Sequence, residues 1–181
     1  MNKAIFIDKD GTLIRDVPYN VNPALVEFEE GAIEALRLFQ DAGFLIVIIS
    51  NQSGIGRGYF TEFDLEKIIL HIRNELQNNG ILLSGFYFCP HHPDDISQQC
   101  NCRKPMPGMI LRAAADLGIA PDKSWMIGDI LHDVEAGNRA GCRTILIDNG
   151  NETEWKPGEY RTPDFSVPNL MSAADSILQS A

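Results

Sequence analysis

No apolar run in the 181-residue chain approaches the roughly 20 residues that a membrane-spanning helix requires, so no membrane partner is expected. Cysteine is scarce, and four residues in such a chain argue against a disulfide framework. Basic residues are also few. Against 25 Asp and Glu there are 15 Lys and Arg, leaving a net charge of −10. That balance excludes a general nucleic-acid binder, because a phosphate backbone demands a basic footprint. A small anion would need a local cationic pocket or a metal working against the overall field. Internal repeats and low-complexity segments are missing. The first residues, Met1-Asn2-Lys3-Ala4, lead straight into a strand pattern without signal-peptide features, so the expected location is cytoplasmic.

What is present is a hydrophobic fraction of 44%, enough for one domain over residues 1–181. Short apolar runs at 3–8, 44–50, 84–88, 124–128 and 143–147 predict strands. Helical spacing predicts helices over 31–42, 61–78, 107–117 and 132–140, then a short strand at 164–167 and a last helix near 169–178. Residues 148–163 are polar, rich in Gly and Pro, and read as a loop. Alternating strands and helices imply an α/β fold, a Rossmann-like, mainly parallel sheet flanked by helices. Ligands of such sheets bind beyond the C-terminal strand ends. Asp8, Ser50, Cys89 and Asp129 all fall at such ends.

Asp8 and Asp10 sit two residues apart after the run Ala4-Ile5-Phe6-Ile7. Residues i and i+2 of a strand point to one side, so both carboxylates are expected at one site. Two close anions repel, and one then requires a raised pKa or a shared cation. Gly11 and Thr12 end the strand and let backbone approach a ligand. This suits a carboxylate nucleophile, an acid/base and a divalent metal. Asp-x-Asp-Gly-Thr resembles the first motif of the haloacid dehalogenase-like phosphatases. The resemblance implies that Asp8 attacks phosphorus and Asp10 moves the proton.

Three further segments extend it. Ile46-Val47-Ile48-Ile49 leads into Ser50-Asn51-Gln52-Ser53-Gly54, similar to the family's second motif, a strand ending in Ser or Thr. Arg103-Lys104-Pro105 places cations before a helix, and Lys104 resembles the third-motif Lys; Arg103 could fork onto a phosphate. Trp125-Met126-Ile127-Gly128-Asp129, with Asp133 four residues on, resembles the fourth motif, GDxxxD. Together these imply an aspartyl-phosphate on Asp8, with charge on the transferring oxygens stabilised by Ser50 and Lys104. They also imply Mg2+ held by the Asp8 carboxylate, the Asp10 backbone carbonyl and Asp129, with Asp133 orienting the site.

Three cysteines between 89 and 102 point to a second metal. One strand-end turn and one loop could deliver Cys89, His91, Cys100 and Cys102 to a tetrahedral Zn2+. His92 is the alternative ligand, with His91 preferred. Cys142 reads as a core thiol. This loop, with SNQSGIGRGYF upstream, narrows the resemblance to the zinc-bearing branch of heptose-bisphosphate and histidinol-phosphate phosphatases, over nearly the whole chain. It implies a structural zinc loop, about 89–102, in place of a large cap. The implied reaction removes the 7-phosphate of D-glycero-D-manno-heptose 1,7-bisphosphate, with histidinol phosphate as the alternative substrate. Implied substrate contacts are Asp16, Tyr19, Asn51, Gln52, Ser53 and Arg103, with Arg57 close by. A monomer acting on a phosphorylated small molecule is expected. Ile130 departs from the pattern, since many heptose-bisphosphate members carry Lys there.

Overall fold

A computed structural model describes residues 1–94 and 100–180. Six strands, β1 (Lys3–Ile7), β2 (Phe44–Asn51), β3 (Leu83–Cys89), β4 (Trp125–Gly128), β5 (Arg143–Ile147) and β6 (Phe165–Val167), form one sheet in the order β3-β2-β1-β4-β5-β6. Every pairing is parallel. Ile5 is in register with Ile46 on one side and Trp125 on the other, which makes β1 a central strand. The strand order reverses at β1, and such a switch point opens a crevice beyond the strand ends.

Among the described residues there are six helices, α1 (Ala32–Asp41), α2 (Ser53–Gly56), α3 (Glu62–Asn78), α4 (Gly108–Leu117), α5 (Leu131–Ala140) and α6 (Leu170–Gln179), and the longer ones cover the sheet. The strands are nearly continuous in apolar residues because both faces are covered. On one face Ile5, Ile7, Ile46 and Ile48 pack with Leu36, Phe39, Ile68 and Ile72 of α1 and α3. On the other Phe6, Val47, Ile49 and Met126 pack with Met109, Ile110 and Ala136 of α4 and α5. Each such large side chain contributes about 1.5–3 kcal/mol by leaving water. Helix α3 begins in a capping box, with Thr61 Oγ1 accepting from the Asp64 N–H and the Asp64 carboxylate accepting from the Thr61 N–H at 3.0 Å.

The alternating pattern predicted this architecture. It did not predict α2, where Ser53-Gly54-Ile55-Gly56 has poor helix propensity. Packing overrides propensity there: a Cβ on Gly54 would strike the Phe60 ring, and the Gly56 N–H donates to the Pro90 carbonyl at 2.8 Å. The 3-10 turns Pro23–Leu25 and Pro121–Lys123 also escaped the periodicity. Pro107, the first residue of the helix expected over 107–117, stands at the N-cap of α4, which begins at Gly108. No helix among the described residues is long and apolar enough to cross a membrane.

Candidate active site

The ends of β1, β2 and β4 meet in the switch-point crevice. Asp8 follows β1, Ser50 is the penultimate residue of β2, and Asp129 follows β4. Strand β1 stops at Ile7, and its continuation turns back, with the Gly11 N–H donating to the Ile14 carbonyl at 2.8 Å. Gly11 has φ 82°, and a Cβ there would run into the Asp129 carboxylate. Only a glycine allows this loop to lie so close to the acid. Gly128 has the same role for Asp133, whose side chain occupies the space a Cβ would take.

Lys104 ties the acids together. Its ammonium is 3% exposed and contacts Asp8 Oδ1 at 2.5 Å and Asp133 Oδ1 at 2.6 Å. It also donates to the Ile49 carbonyl at 3.2 Å. Burial alone would lower its pKa, but Asp133 and Asp8 outweigh burial and raise it, so it is charged. Burial raises the Asp8 pKa, Lys104 opposes the rise, and Asp133, Asp129 and Asp10 add to it. Asp129 is also raised, by burial and by Asp133, against hydrogen bonds from Asn151 at 2.7 Å and Thr12 at 3.1 Å. Three buried carboxylates therefore face one ammonium.

That imbalance fits a divalent cation. Carboxylate oxygens of Asp8, Asp129 and Asp133 lie within 4.8 Å of one another, and hard oxygen donors suit magnesium. Asp133 is already engaged, by Lys104 on Oδ1 and by the Ile130 N–H on Oδ2 at 3.2 Å. Asp8, held by Lys104 on one oxygen only, and Asp129, whose two oxygens accept from the neutral donors Thr12 and Asn151, are the better candidates for a metal. Asp133 instead places Lys104 and caps α5. Ile130 stands at the head of that helix as its N-cap.

Asp10 is near enough to Asp8 for its charge to raise the Asp8 pKa, but strand alternation is not what places it. Since β1 ends before Asp8, the alternation does not reach it. Asp10 Oδ1 contacts Lys9 Nζ at 2.6 Å, and Oδ2 accepts from Gln52 Nε2 at 3.3 Å. The same Gln52 amide donates to Ser50 Oγ at 2.8 Å, so Asp10 and Ser50 are linked through one side chain. A pocket of about 250 Å³ opens here, lined by Lys9, Asp10, Asp16, Tyr19, Asn51, Gln52 and Ser53 with their neighbours. Burial, then the Asp10 charge, raises the Asp16 pKa, and Lys9 opposes them. Tyr19 has φ 55°, a strained conformation for a bulky residue, and meets the Tyr59 ring edge-on at 4.8 Å. Arg57 and Arg103 are not among the lining residues. A larger cavity, about 480 Å³, runs along β3 past His91 and Cys102 and is lined by none of Asp8, Asp10, Asp129 and Asp133.

Asn51 also faces away from a purely ligand-binding role. Its Oδ1 accepts from the Lys104 N–H at 3.0 Å, and its Nδ2 donates to the Lys104 carbonyl at 3.2 Å. The amide thus grips the lysine backbone as a neighbouring strand would.

Next to this grip lie the cysteines. Cys102 Sγ is 3.0 Å from Cys89 Sγ and 3.2 Å from His91 Nδ1, and Cys89 Sγ is 3.7 Å from Cys100 Sγ. All four cysteines are free thiols. Around tetrahedral zinc, with Zn–S near 2.3 Å, sulfurs sit about 3.8 Å apart. Cys89, His91, Cys100 and Cys102 could therefore hold zinc with small adjustment. His92 turns elsewhere, its Nδ1 accepting from the Asp94 N–H at 3.0 Å. Residues 95–99 of the loop lie outside the described residues.

Three residues of the site carried no motif, and Thr12, the last of the first motif, makes a contact the motif does not specify. Thr12 hydrogen-bonds Asp129, Asn149 Nδ2 donates to the Gly11 carbonyl at 2.8 Å, Asn151 binds Asp129, and Glu152 accepts from the Leu131 N–H at 2.6 Å. The last three belong to the polar loop after β5. The signal available was its position, since loops leaving the C-terminal ends of parallel strands line the crevice.

The family described as HAD-hydrolase-like matches residues 101–173. The D-glycero-beta-D-manno-heptose-1,7-bisphosphate 7-phosphatase of Pasteurella multocida is 42% identical over 154 residues, 83% of this chain and 84% of that protein. Its namesake in Escherichia coli K12 is 38% identical over 98% of this chain and 88% of its own. The solved D,D-heptose 1.7-bisphosphate phosphatase of B. bronchiseptica, complexed with magnesium and phosphate, superimposes with a TM-score of 0.81 at 29% identity, covering 99% of both chains. With four acids and a lysine gathered at the strand ends of this fold, the chain belongs to the HAD-like phosphatases, in the family of the heptose-1,7-bisphosphate 7-phosphatases.

Proposed function

We propose that the chain is a cytoplasmic, monomeric phosphatase that removes the 7-phosphate of D-glycero-D-manno-heptose 1,7-bisphosphate. The observation that carries the chemistry is the buried contact of Lys104 with Asp8 and Asp133, beside Asp129. The sugar comes from what the relatives are named for. Asp8 is the nucleophile: one carboxylate oxygen forms a bond to phosphorus as the bond to the sugar oxygen breaks. Asp10 gives a proton to the departing oxygen, then takes one from the water that hydrolyses the aspartyl-phosphate. Lys104 and Ser50 stabilise charge on the transferring oxygens. Asp8, the Asp10 backbone carbonyl and Asp129 would hold magnesium, which when bound supplies charge neutralisation among the acids.

In the same reading Asp16, Tyr19, Gln52 and Ser53 contact the substrate from the pocket walls, and Asn51 acts chiefly through Lys104. Zinc on Cys89, His91, Cys100 and Cys102 is structural and fixes Arg103 and Lys104, which follow Cys102 directly. The test is phosphate release across both heptose bisphosphate anomers, histidinol phosphate and simple sugar monophosphates, in magnesium and after mild chelation. The highest kcat/KM should fall on a heptose bisphosphate, with activity lost on chelation and restored by magnesium. A maximum on histidinol phosphate refutes the substrate assignment.

A further inference from the structure

Arg57 and His92 meet where α2 packs against the zinc-loop turn. Arg57 is the C-cap of α2, and its N–H donates to the carbonyl of Ser53, a pocket-lining residue, at 2.9 Å. Gly56 permits the packing, because a Cβ there would strike the backbone of Pro90 and His92. The result sets Arg57 Nη1 3.5 Å from His92 Nε2.

The hydrogen bonds decide what faces what. A neutral imidazole offers one acceptor nitrogen and one N–H. On His92 the acceptor is Nδ1, which takes the Asp94 N–H at 3.0 Å. The proton therefore sits on Nε2, and it points at a guanidinium that can only donate. Among the described residues, two donors face each other with no acceptor between them. Arg57 Nε is buried as well and has no partner among these residues, and none of their ion pairs includes Arg57; His92 has the Asp94 carboxylate 3.9 Å from its Nδ1. Such a set, donor-rich and positively charged, is completed by an anion whose oxygens accept from all three N–H groups. A phosphate monoester offers three outer oxygens, and arginine matches them with its fork.

We propose that Arg57 and His92 form a second phosphate subsite, which takes the substrate phosphate that is not hydrolysed. The proposal rests on the sugar-bisphosphate reading above, and it adds where the remote phosphate goes. It also gives the cysteine cluster a part in substrate choice. His91 turns its Nδ1 to the sulfurs, so the adjacent His92 is placed by the same turn. The loop then selects the bisphosphate without touching the reacting phosphorus.

The test compares a heptose 1,7-bisphosphate with the matching heptose 7-phosphate, using full-length zinc-loaded enzyme and measuring zinc content in every variant. The quantity read is the ratio of kcat/KM for the bisphosphate to that for the monophosphate. Arg57→Ala should lower that ratio roughly 10- to 150-fold, the effect of losing hydrogen bonds to a charged group. His92→Phe should lower it about 10-fold, while His92→Gln, whose amide can replace the Nε2–H, should keep most of it. If a His92 variant loses zinc, Arg57→Ala decides, since it lies outside the loop. An unchanged ratio in Arg57→Ala, an equal loss on both substrates, or a wild-type enzyme indifferent to the second phosphate overturns the subsite. If the wild type prefers other sugars to heptose, the substrate reading fails by itself. The ratio can then be read on a hexose bisphosphate and its monophosphate.

Discussion

Asn151 offers a sharp test of how Asp129, the acid proposed to bind magnesium, is held. Its Nδ2 donates to Asp129 Oδ2 at 2.7 Å, a short bond to a charged acceptor. Burial and Asp133 both raise the Asp129 pKa, and the Asn151 bond opposes them. Asn151→Ala removes that opposition and frees the carboxylate to turn. A hydrogen bond to a charged group contributes about 1.5–3 kcal/mol, roughly 10- to 150-fold in an equilibrium. Losses of about 10- to 100-fold in metal affinity are typical when a partner of a ligating carboxylate is removed. Both figures place the weakening of magnesium binding at 10-fold or more. Asn149→Ala is the comparison, because Asn149 donates to a neutral carbonyl, that of Gly11. Its loss should amount to about 0.5–1.5 kcal/mol, or roughly 2- to 10-fold. Titration calorimetry with magnesium on each metal-stripped variant gives the affinities directly, and circular dichroism verifies the fold. If Asn151→Ala binds magnesium as tightly as wild type, the carboxylate is not held for the metal by this loop.

Asp8→Asn should abolish turnover with the fold retained, because an amide cannot attack phosphorus as an anion; single-turnover phosphate release at wild-type rate would disprove the nucleophile. Cys102→Ser should lower zinc content and, by loosening Lys104, reduce the rate on the order of 100-fold; metal analysis and steady-state rates check it, and full activity without zinc would show that the metal does not order the site. The Asp64 carboxylate is held at about 2 by hydrogen bonds from the Thr61 backbone, Lys67 and the Thr61 hydroxyl, in that order. Its folded pKa lies below the ordinary value of 3.8, so its stabilisation of α3 is complete above that value and disappears as pH falls through about 2. A carboxyl carbon NMR titration with its midpoint near 4 would contradict the capping box.

Much of the site could be read from the chain because its chemistry sits beside strand signatures. Asp8, Ser50 and Asp129 each close an apolar run, and the parallel sheet gathers those ends whatever the loops do. The same logic does not extend to Asp10. Alternation predicts the direction of Asp10 only if β1 continues through it, and β1 stops at Ile7. His91 and His92 illustrate a second limit. Adjacent histidines are equivalent in composition, and the choice between them follows from the turn, which sends one Nδ1 to sulfur and the other to the Asp94 backbone. Asn149, Asn151 and Glu152 were invisible for a third reason. Ordinary polar residues gain a role only through contacts that the fold makes between separate segments, from Asn149 to Gly11, 138 residues apart, and from Asn151 to Asp129, 22 apart. Asn51 was named as a substrate contact from the resemblance, while its grip on the Lys104 backbone depends on a partner 53 residues away.

The strand order has a consequence for how the protein is made. Strand β1 lies between β2 and β4, so its second edge is covered only by a segment far along the chain. At about 5–20 residues per second, β4 leaves the ribosome roughly 6–24 s after β1. During that interval Ala4, Ile5, Phe6 and Ile7, all fully buried in the finished protein, have one open backbone edge. An apolar strand edge is a template for pairing with other chains. The catalytic crevice cannot exist before that edge closes, since Asp129 arrives with β4. A nascent chain stalled before residue 125 would thus be both inactive and prone to aggregate, and the emergence of β4 ends both conditions at once.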